Sequence, residues 1–319
     1  MKLCILIPAF NEEKTIEHII HQVPKTFPGV DEIITLVIDD GSADQTVSLA
    51  KDAGALVVSH PQNRGVGSAF NTGLNKALEL GADIMVNIDA DGQFSPDEIS
   101  DLIAPILAEQ ADFVVGDRFT QLDGTISKPE HMSPLKFWGN KQMSRLISML
   151  TNQQFNDVSC GFRAYSKEAM LHLNLTGKFT YTQETFLDLA NKDITIKGVP
   201  VHVTYYPNRK SRVAHNIWIY FYRTINIILR AYRDYRPLRF FTGLGAVPFV
   251  VGFICGLYTL VHYIRTGNIT PYKSLGLIGL YLVSMAFVLW IIGILADMFV
   301  RIRLYQEQIL YHEKKRRYK

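Results

Sequence analysis

Two aspartates separated by one residue, Asp89 and Asp91, stand in the stretch IDADGQFSP (Ile88–Pro96), directly after a short apolar run. Carboxylate oxygens are hard ligands suited to Mg2+ or Mn2+, and a strand-to-turn geometry lets both face one cavity, where such a cation is shared with the phosphates of a substrate. An Asp-x-Asp in isolation is equally a surface turn, so its weight depends on what accompanies it. Asn11 and Glu12 follow the apolar run Leu3–Phe10, and Asp39 and Asp40 close another run beginning at Glu32. The run GVGSAF (Gly65–Phe70) invites a dinucleotide reading, but it lacks the third glycine and does not directly follow a strong first strand.

These residues need elements to hold them. Strand-like runs at Leu3–Pro8, Glu32–Asp39, Leu56–Ser59 and Ile84–Asp89 alternate with helix-like stretches beginning near Lys14, Gln45 and Gly67. Such alternation predicts an α/β fold with a mostly parallel, helix-covered sheet, whose ligands bind at the carboxyl ends of the strands. The polar candidates fall at those ends. The opening run meets Asn11-Glu12-Glu13 without a basic leader or cleavage site, and is expected to be a buried strand rather than a secretory signal.

The net charge of +3 conceals a division: residues 1–208 hold 16 Lys/Arg against 26 Asp/Glu, a balance of −10, leaving +13 for the other 111 residues. An acidic body argues against nucleic acid as a partner, and a basic, apolar C-terminal part points to membrane lipids. Three scattered cysteines (Cys4, Cys160, Cys255) give neither a disulfide framework nor zinc spacing, which fits a reducing compartment. Residues Phe240–Ile264 and Ser274–Ala296 contain no Asp, Glu, Lys or Arg over 25 and 23 positions. Each exceeds the ~20 residues needed to span a bilayer, so a hairpin of two transmembrane helices (about 240–264 and 274–297) is expected. Arg230, Arg233, Arg236 and Arg239 precede it, and Arg301, Arg303, Lys314, Lys315, Arg316, Arg317 and Lys319 follow, against Arg265 and Lys273 in the intervening loop. The positive-inside rule places body and C-terminus in the cytoplasm, at the inner membrane if the cell is bacterial. Before the hairpin, 211–237 carries Ile217, Phe221, Ile225, Ile228 and Tyr232 on one helical face, which suits an interfacial helix or, alternatively, a helix packed on the body. The expected organisation is therefore 1–210 catalytic, 211–237 juxtamembrane, 238–300 membrane and 301–319 a basic tail.

Taken with IPAFNEE (Ile7–Glu13), VIDDGSADQT (Val37–Thr46), NRGVGSAFNTGL (Asn63–Leu74) and DVSCGFRAY (Asp157–Tyr165), the Asp-x-Asp segment makes the first 210 residues resemble family-2 glycosyltransferases of GT-A fold. With its two spans the chain resembles in particular the polyprenyl-phosphate glycosyltransferases. That resemblance implies transfer of a hexosyl group from a nucleotide sugar, of the UDP-glucose or GDP-mannose type, to polyprenyl phosphate (undecaprenyl or dolichyl), with inversion and with Mg2+ or Mn2+ as cofactor. It implies that Pro8, Ala9, Asn11 and Glu12 line the nucleotide pocket and that Asp39 hydrogen-bonds the base while Asp40 and Ser42 shape the turn. Asp89 and Asp91 would hold the metal, and Gln93 would reach the sugar or phosphate. It also admits a homo-oligomer assembled through the hairpins.

Arg118, Arg163, Arg209, Lys210 and Arg212 are cations able to clamp phosphates of the two substrates, or to be ordinary surface or ion-paired charges. Asp157 stands where the family places an acceptor-side acid. A phosphate monoester is already largely dianionic at neutral pH, so Asp157 either accepts a proton or orients the acceptor's surroundings. Glu184 is a second acceptor-side carboxylate or simply a helical one. A processive polysaccharide synthase is the enzymatic alternative. The Gln-x-x-Arg-Trp signature of such synthases is approached here only by Gln142-Met143-Ser144-Arg145-Leu146, which precedes Asp157 and lacks the tryptophan. A non-catalytic membrane scaffold is the alternative from another class, and Asp89, Asp91, Asp157 and Arg118 argue against it.

Overall fold

The computed structural model describes residues 1–121, 123–174, 181–190, 192, 194–205, 229–230 and 232–318. The chain divides into two compact units, 1–211 with 310–319, and 212–309. In the first, the described strands β1 (Lys2–Ala9), β2 (Glu32–Asp39), β3 (Leu56–Ser59), β4 (Ile84–Asn87), β5 (Phe113–Asp117), β6 (Arg163–Ser166) and β7 (Ile196–Pro200) form one sheet in the order β3-β2-β1-β4-β6-β5-β7.

β1 is the centre of the parallel half of the sheet. Leu3 to Ile7 are fully buried, an apolar run on both faces that suits a parallel strand covered by helices on each side. It pairs in parallel with β2 (Ala9 opposite Asp39) and β4 (Leu6 opposite Asn87), so the chain order reverses direction at β1 and opens a crevice beyond the strand ends. The crossovers run through α1 (Ile16–Gln22), α2 (Thr46–Asp52) and α3 (Val66–Glu79). Buried Ala69, Phe70, Gly73, Leu74 and Ala77 give α3 the apolar stripe that lies on β1 and β2.

The remaining strands depart from a purely parallel pattern. β6 runs antiparallel between β4 and β5, with Arg163 opposite both Asn87 and Val115. Helices α4 (Ile99–Leu107), α5 (Pro134–Thr151), α6 (Lys167–His172) and α7 (Tyr181–Ala190) cover this half. The strand expected over Ile84–Asp89 leaves the ladder after Asn87, with Ile88 N still donating to Leu6 O (3.0 Å), and this early exit frees Asp89 for the crevice.

The C-terminal helices are α8 (Pro237–Thr266) and α9 (Lys273–Arg317), both long and apolar enough to cross a membrane, with mean hydropathy 2.1 and 2.5 in their most apolar windows. Inside the second unit they meet at small residues. A Cβ on Gly252 would stand 2.7 Å from Gly279 O, and one on Gly279 2.8 Å from Gly252 O, the close backbone approach by which helices associate in lipid. α9 does not stop near residue 297. Its last turns belong to the first unit, where the Tyr311 ring stacks on His172 (centroids 4.1 Å) and Lys314 Nζ donates to Leu173 O (2.6 Å) and Asn174 Oδ1 (2.9 Å). The basic C-terminal segment is therefore helical and partly engaged in capping the end of α6, as a cation near C-terminal carbonyls should be. Most of 211–237, the expected juxtamembrane helix, lies outside the described residues.

Candidate active site

The loops after β1 and β2 lock together through the residues singled out in the sequence. Asn11 adopts a left-handed backbone (φ 54°), its N–H donating to Ser42 Oγ (2.8 Å) and its Oδ1 accepting from Ala43 N (2.9 Å). Glu12 N donates to Thr46 Oγ1 (2.8 Å), so the second helix is fastened to the first strand's loop. Pro8 is half-buried and Ala9 buried at the strand end between them. The two adjacent aspartates divide the work. Asp39, buried at the end of β2, accepts from Ser42 N (3.0 Å). Asp40 instead organises the next loop, taking the N–H groups of Arg64 (2.9 Å) and Gly65 (2.8 Å) and lying 2.7 Å from His60 Nδ1. Gly41 makes the turn possible: its φ is +79°, and a Cβ there would sit 2.7 Å from the backbone of Gln62.

Asp89 and Asp91 flank Ala90 just beyond β4. Burial, with the neighbouring charge of Asp91, pushes the Asp89 carboxyl up to about 6, while Arg118 and Arg163 act in the opposite direction. Asp91 Oδ1 accepts from Gln93 N (3.1 Å), which folds the turn back under its own carboxylate. Among the described residues no group of three or more His, Cys, Asp or Glu gathers. The donor set nevertheless fits a hard divalent cation that takes its remaining ligands from a bound diphosphate and water, and such a cation would relieve the repulsion between the two carboxylates.

The loop before β6 meets this turn from the other half of the sheet. A Cβ on Gly161 would stand 2.6 Å from Asp89 Oδ2, so the loop from Asp157 to Arg163 lies directly against that carboxylate. Asn87 Nδ2 ties the same loop by donating to Gly161 O (2.8 Å). Arg118 grips Asp157 at two points, Nε to Oδ2 (2.6 Å) and Nη2 to Oδ1 (3.0 Å), and gives Nη1 to Tyr205 OH (3.2 Å). Burial pulls the guanidinium's pKa down, but Asp157, with Cys160 and Tyr205, holds it well above its ordinary range.

Arg163 differs from the phosphate-clamp expectation. It is 0% exposed, and its donors go to Cys160 O (2.6 Å), Thr182 O (2.8 Å) and Val158 O (3.0 Å). Its guanidinium lies between Phe113 and Phe186. In this arrangement it shapes the loop carrying Asp157 and the start of α7, rather than meeting a substrate. Glu184 stands in the first turn of that helix. Arg209, Lys210 and Arg212 lie outside the described residues. Asp89, Asp91 and Gln93 thus stand in one turn beside the loop that carries Asp157, which Arg118 holds, while Asn11, Glu12 and Asp39 belong to the interlocked loops after β1 and β2. Sequence reasoning missed Asn87, read as one more strand residue, and Tyr205, for which no spacing gave a signal.

Comparisons with known proteins bear on the family and the fold. The model of Glycosyl transferase family 2 matches residues 4–173, more than half of the chain. UDP-N-acetylglucosamine–dolichyl-phosphate N-acetylglucosaminyltransferase of Methanococcus voltae is 35% identical over 224 residues, covering 63% of this chain and 85% of that protein. Polyprenol monophosphomannose synthase of Mycolicibacterium smegmatis is 30% identical over 211 residues, covering 63% and 76%. Among solved structures, glucosyl-3-phosphoglycerate synthase from Mycobacterium tuberculosis, crystallised with Mn2+, UDP and phosphoglyceric acid, superposes with a TM-score of 0.53 at 23% identity over 72% of this chain and 77% of that one, a likeness of fold.

Proposed function

Because the chain belongs to glycosyl transferase family 2 and has the GT-A fold, we propose that it transfers one hexosyl group from a nucleoside diphosphate sugar to membrane polyprenyl phosphate. The reaction inverts the anomeric carbon and takes place at the cytoplasmic face. The observation that supports this reading is the contact of the Asp157–Arg163 loop, whose Asp157 is ion-paired with Arg118, with the carboxylate of Asp89. The relatives support the acceptor class: one is named for dolichyl phosphate and the other for a polyprenol monophospho-sugar.

Pro8, Ala9, Asn11 and Glu12 line the nucleotide end and Asp39 receives the base. Asp89 and Asp91 would hold Mg2+ or Mn2+, which supplies neutralisation of the charge on the departing diphosphate. Gln93 stands two positions beyond Asp91 to meet the diphosphate or sugar. On the acceptor side a phosphate oxygen forms a bond to the anomeric carbon while the bond from that carbon to the diphosphate oxygen breaks, and the electron pair leaves with the nucleoside diphosphate. A phosphate monoester has a second pKa near 6, so the nucleophile carries its charge without help at neutral pH. Asp157 therefore serves to fix Arg118 beside the reacting groups, and no proton need pass to it.

The test incubates membranes containing the full chain with a panel of labelled donors, UDP-N-acetylglucosamine, UDP-glucose and GDP-mannose among them, and follows label into the organic phase. One donor should yield a lipid-soluble product stable to mild alkali and labile to mild acid. Label appearing only in a growing water-soluble polymer would replace this reading with a processive synthase.

A further inference from the structure

His60 follows β3 directly and is buried, and both of its ring nitrogens are engaged. Nδ1 lies 2.7 Å from Asp40 Oδ1, and Nε2 lies 2.9 Å from Oγ1 of Thr72 in α3. A carboxylate only accepts, so the proton of the first contact sits on Nδ1, while Thr72 fixes the ring at its far edge. Asp40 collects two backbone donors besides, Arg64 N on Oδ1 (2.9 Å) and Gly65 N on Oδ2 (2.8 Å). One imidazole thus joins the end of β3, the helix α3 and the carboxylate that closes the loop between them.

The backbone repeats the connection. The peptide between Asp39 and Asp40 is bonded on both sides, its carbonyl accepting from His60 N (2.8 Å) and its N–H donating to Ala9 O (2.9 Å). Gly41 comes next, packed so closely that a Cβ would stand 2.7 Å from the backbone of Gln62. The loop after His60 therefore backs the turn that carries Asp39. Asp40, only 4% exposed, cannot replace a lost donor by turning to solvent. Without the imidazole its carboxylate has to shift or draw in water, and the backbone at 64–65 moves with it.

We propose that His60 is a positioning residue for the donor: it acts through Asp40 to keep the loop at 62–65 pressed on the turn at 39–41, and so sets the affinity for the nucleoside diphosphate. His60 touches no substrate in this role, which rests on the reading that Asp39 receives the base. A buried hydrogen-bonded relay suits the task because it holds a loop in one place without presenting a group to the ligand.

The experiment compares the solubilised full chain, with Mn2+ present, with His60→Leu, His60→Asn and His60→Gln. UDP and GDP are titrated calorimetrically into each, and the KM for donor and for acceptor and the Tm are measured beside them. An asparagine amide puts an N–H where Nδ1 stands, and a glutamine amide puts one where Nε2 stands. His60→Leu should weaken binding of the nucleotide that the unaltered chain takes by about tenfold, as loss of one hydrogen bond to a buried charge does. The donor KM should rise to the same degree and the acceptor KM stay within about twofold. His60→Asn should recover most of the affinity and His60→Gln little, since only the first restores the donor to Asp40. A lowered Tm with unchanged nucleotide affinity in His60→Leu would overturn the assignment and leave His60 a merely structural residue. Recovery by His60→Gln and not by His60→Asn would overturn the action through Asp40, and this pair decides the matter should His60→Leu fail to fold. Nucleotide binding by the unaltered chain without transfer to polyprenyl phosphate would sink the proposed reaction, while the titrations would still decide the role of His60. An unaltered chain that takes neither UDP nor GDP would overturn both.

Discussion

Arg118 and Asp157, 39 positions apart, form a closed two-point ion pair whose carboxylate side chain is entirely buried and whose guanidinium is 8% exposed. Removing one partner leaves the other as an uncompensated buried charge, which costs roughly 3–5 kcal/mol. Asp157→Ala and Arg118→Ala should each lower the Tm of the solubilised protein, and the double variant should be less destabilised than the sum. Strict additivity in that double-mutant cycle would remove the pair as a unit.

Asp91→Asn should reduce transfer by at least about a hundredfold, since a divalent cation's electrostatic contribution amounts to several kcal/mol and ~1.4 kcal/mol is tenfold in rate. The circular dichroism spectrum should not change, and EDTA should reproduce the loss in the unaltered protein. Full activity in either case would take the metal role away from this turn.

Gly161→Ala probes the junction of the two half-sites without altering any charge. The new methyl would begin 2.6 Å from Asp89 Oδ2 and 3.0 Å from its Oδ1, so the carboxylate must shift to admit it. Transfer should fall by about tenfold or more with the Tm shifted by only a few degrees. A variant with native rates would show that Asp89 need not rest against the acceptor loop.

Burial pushes the thiols of Cys4 and Cys160 up to about 12, against about 8.5 in an unfolded chain. The folded state then holds protons that the unfolded state has released. Stability should therefore fall as pH rises from about 8.5 towards 12, and be unaffected by these groups below that window. At pH 8 an alkylating reagent should spare both residues in the native protein and modify both in denaturant, as read by peptide mass. Rapid labelling of native Cys160 would contradict the enclosed loop.

The parallel half of the sheet was legible because its signals are local. The apolar runs of β1, β2 and β4 are bounded by Asn11, Asp39 and Asp89, and the strand ends carry the chemistry wherever a parallel sheet is covered by helices. The resemblance gave Asp40 to the turn with Ser42, but it is Asp39 that accepts from Ser42 N, and Asp40 reaches Arg64 and Gly65 instead. The other half depends on distant partners. Nothing in the run Cys160-Gly161-Phe162-Arg163 announces that the arginine is enclosed by Phe113 and Phe186 and consumed by three carbonyls, since a sequence displays a cation and not its enclosure. Tyr205 acquires its place through Arg118 and Gln93, contacts made over long separations. Lys314 read as membrane-side charge, and its role at the end of α6 follows only from the length of α9.

The central claim is tested most directly by the mass of the product. The purified full chain, with its preferred nucleotide sugar and Mg2+ or Mn2+, is offered polyprenyl phosphate and the matching polyprenol side by side. The account predicts a single species equal to polyprenyl phosphate plus one hexosyl residue, and no product from the alcohol. Sugar attached to polyprenol, or a ladder of successive hexosyl additions, would contradict it.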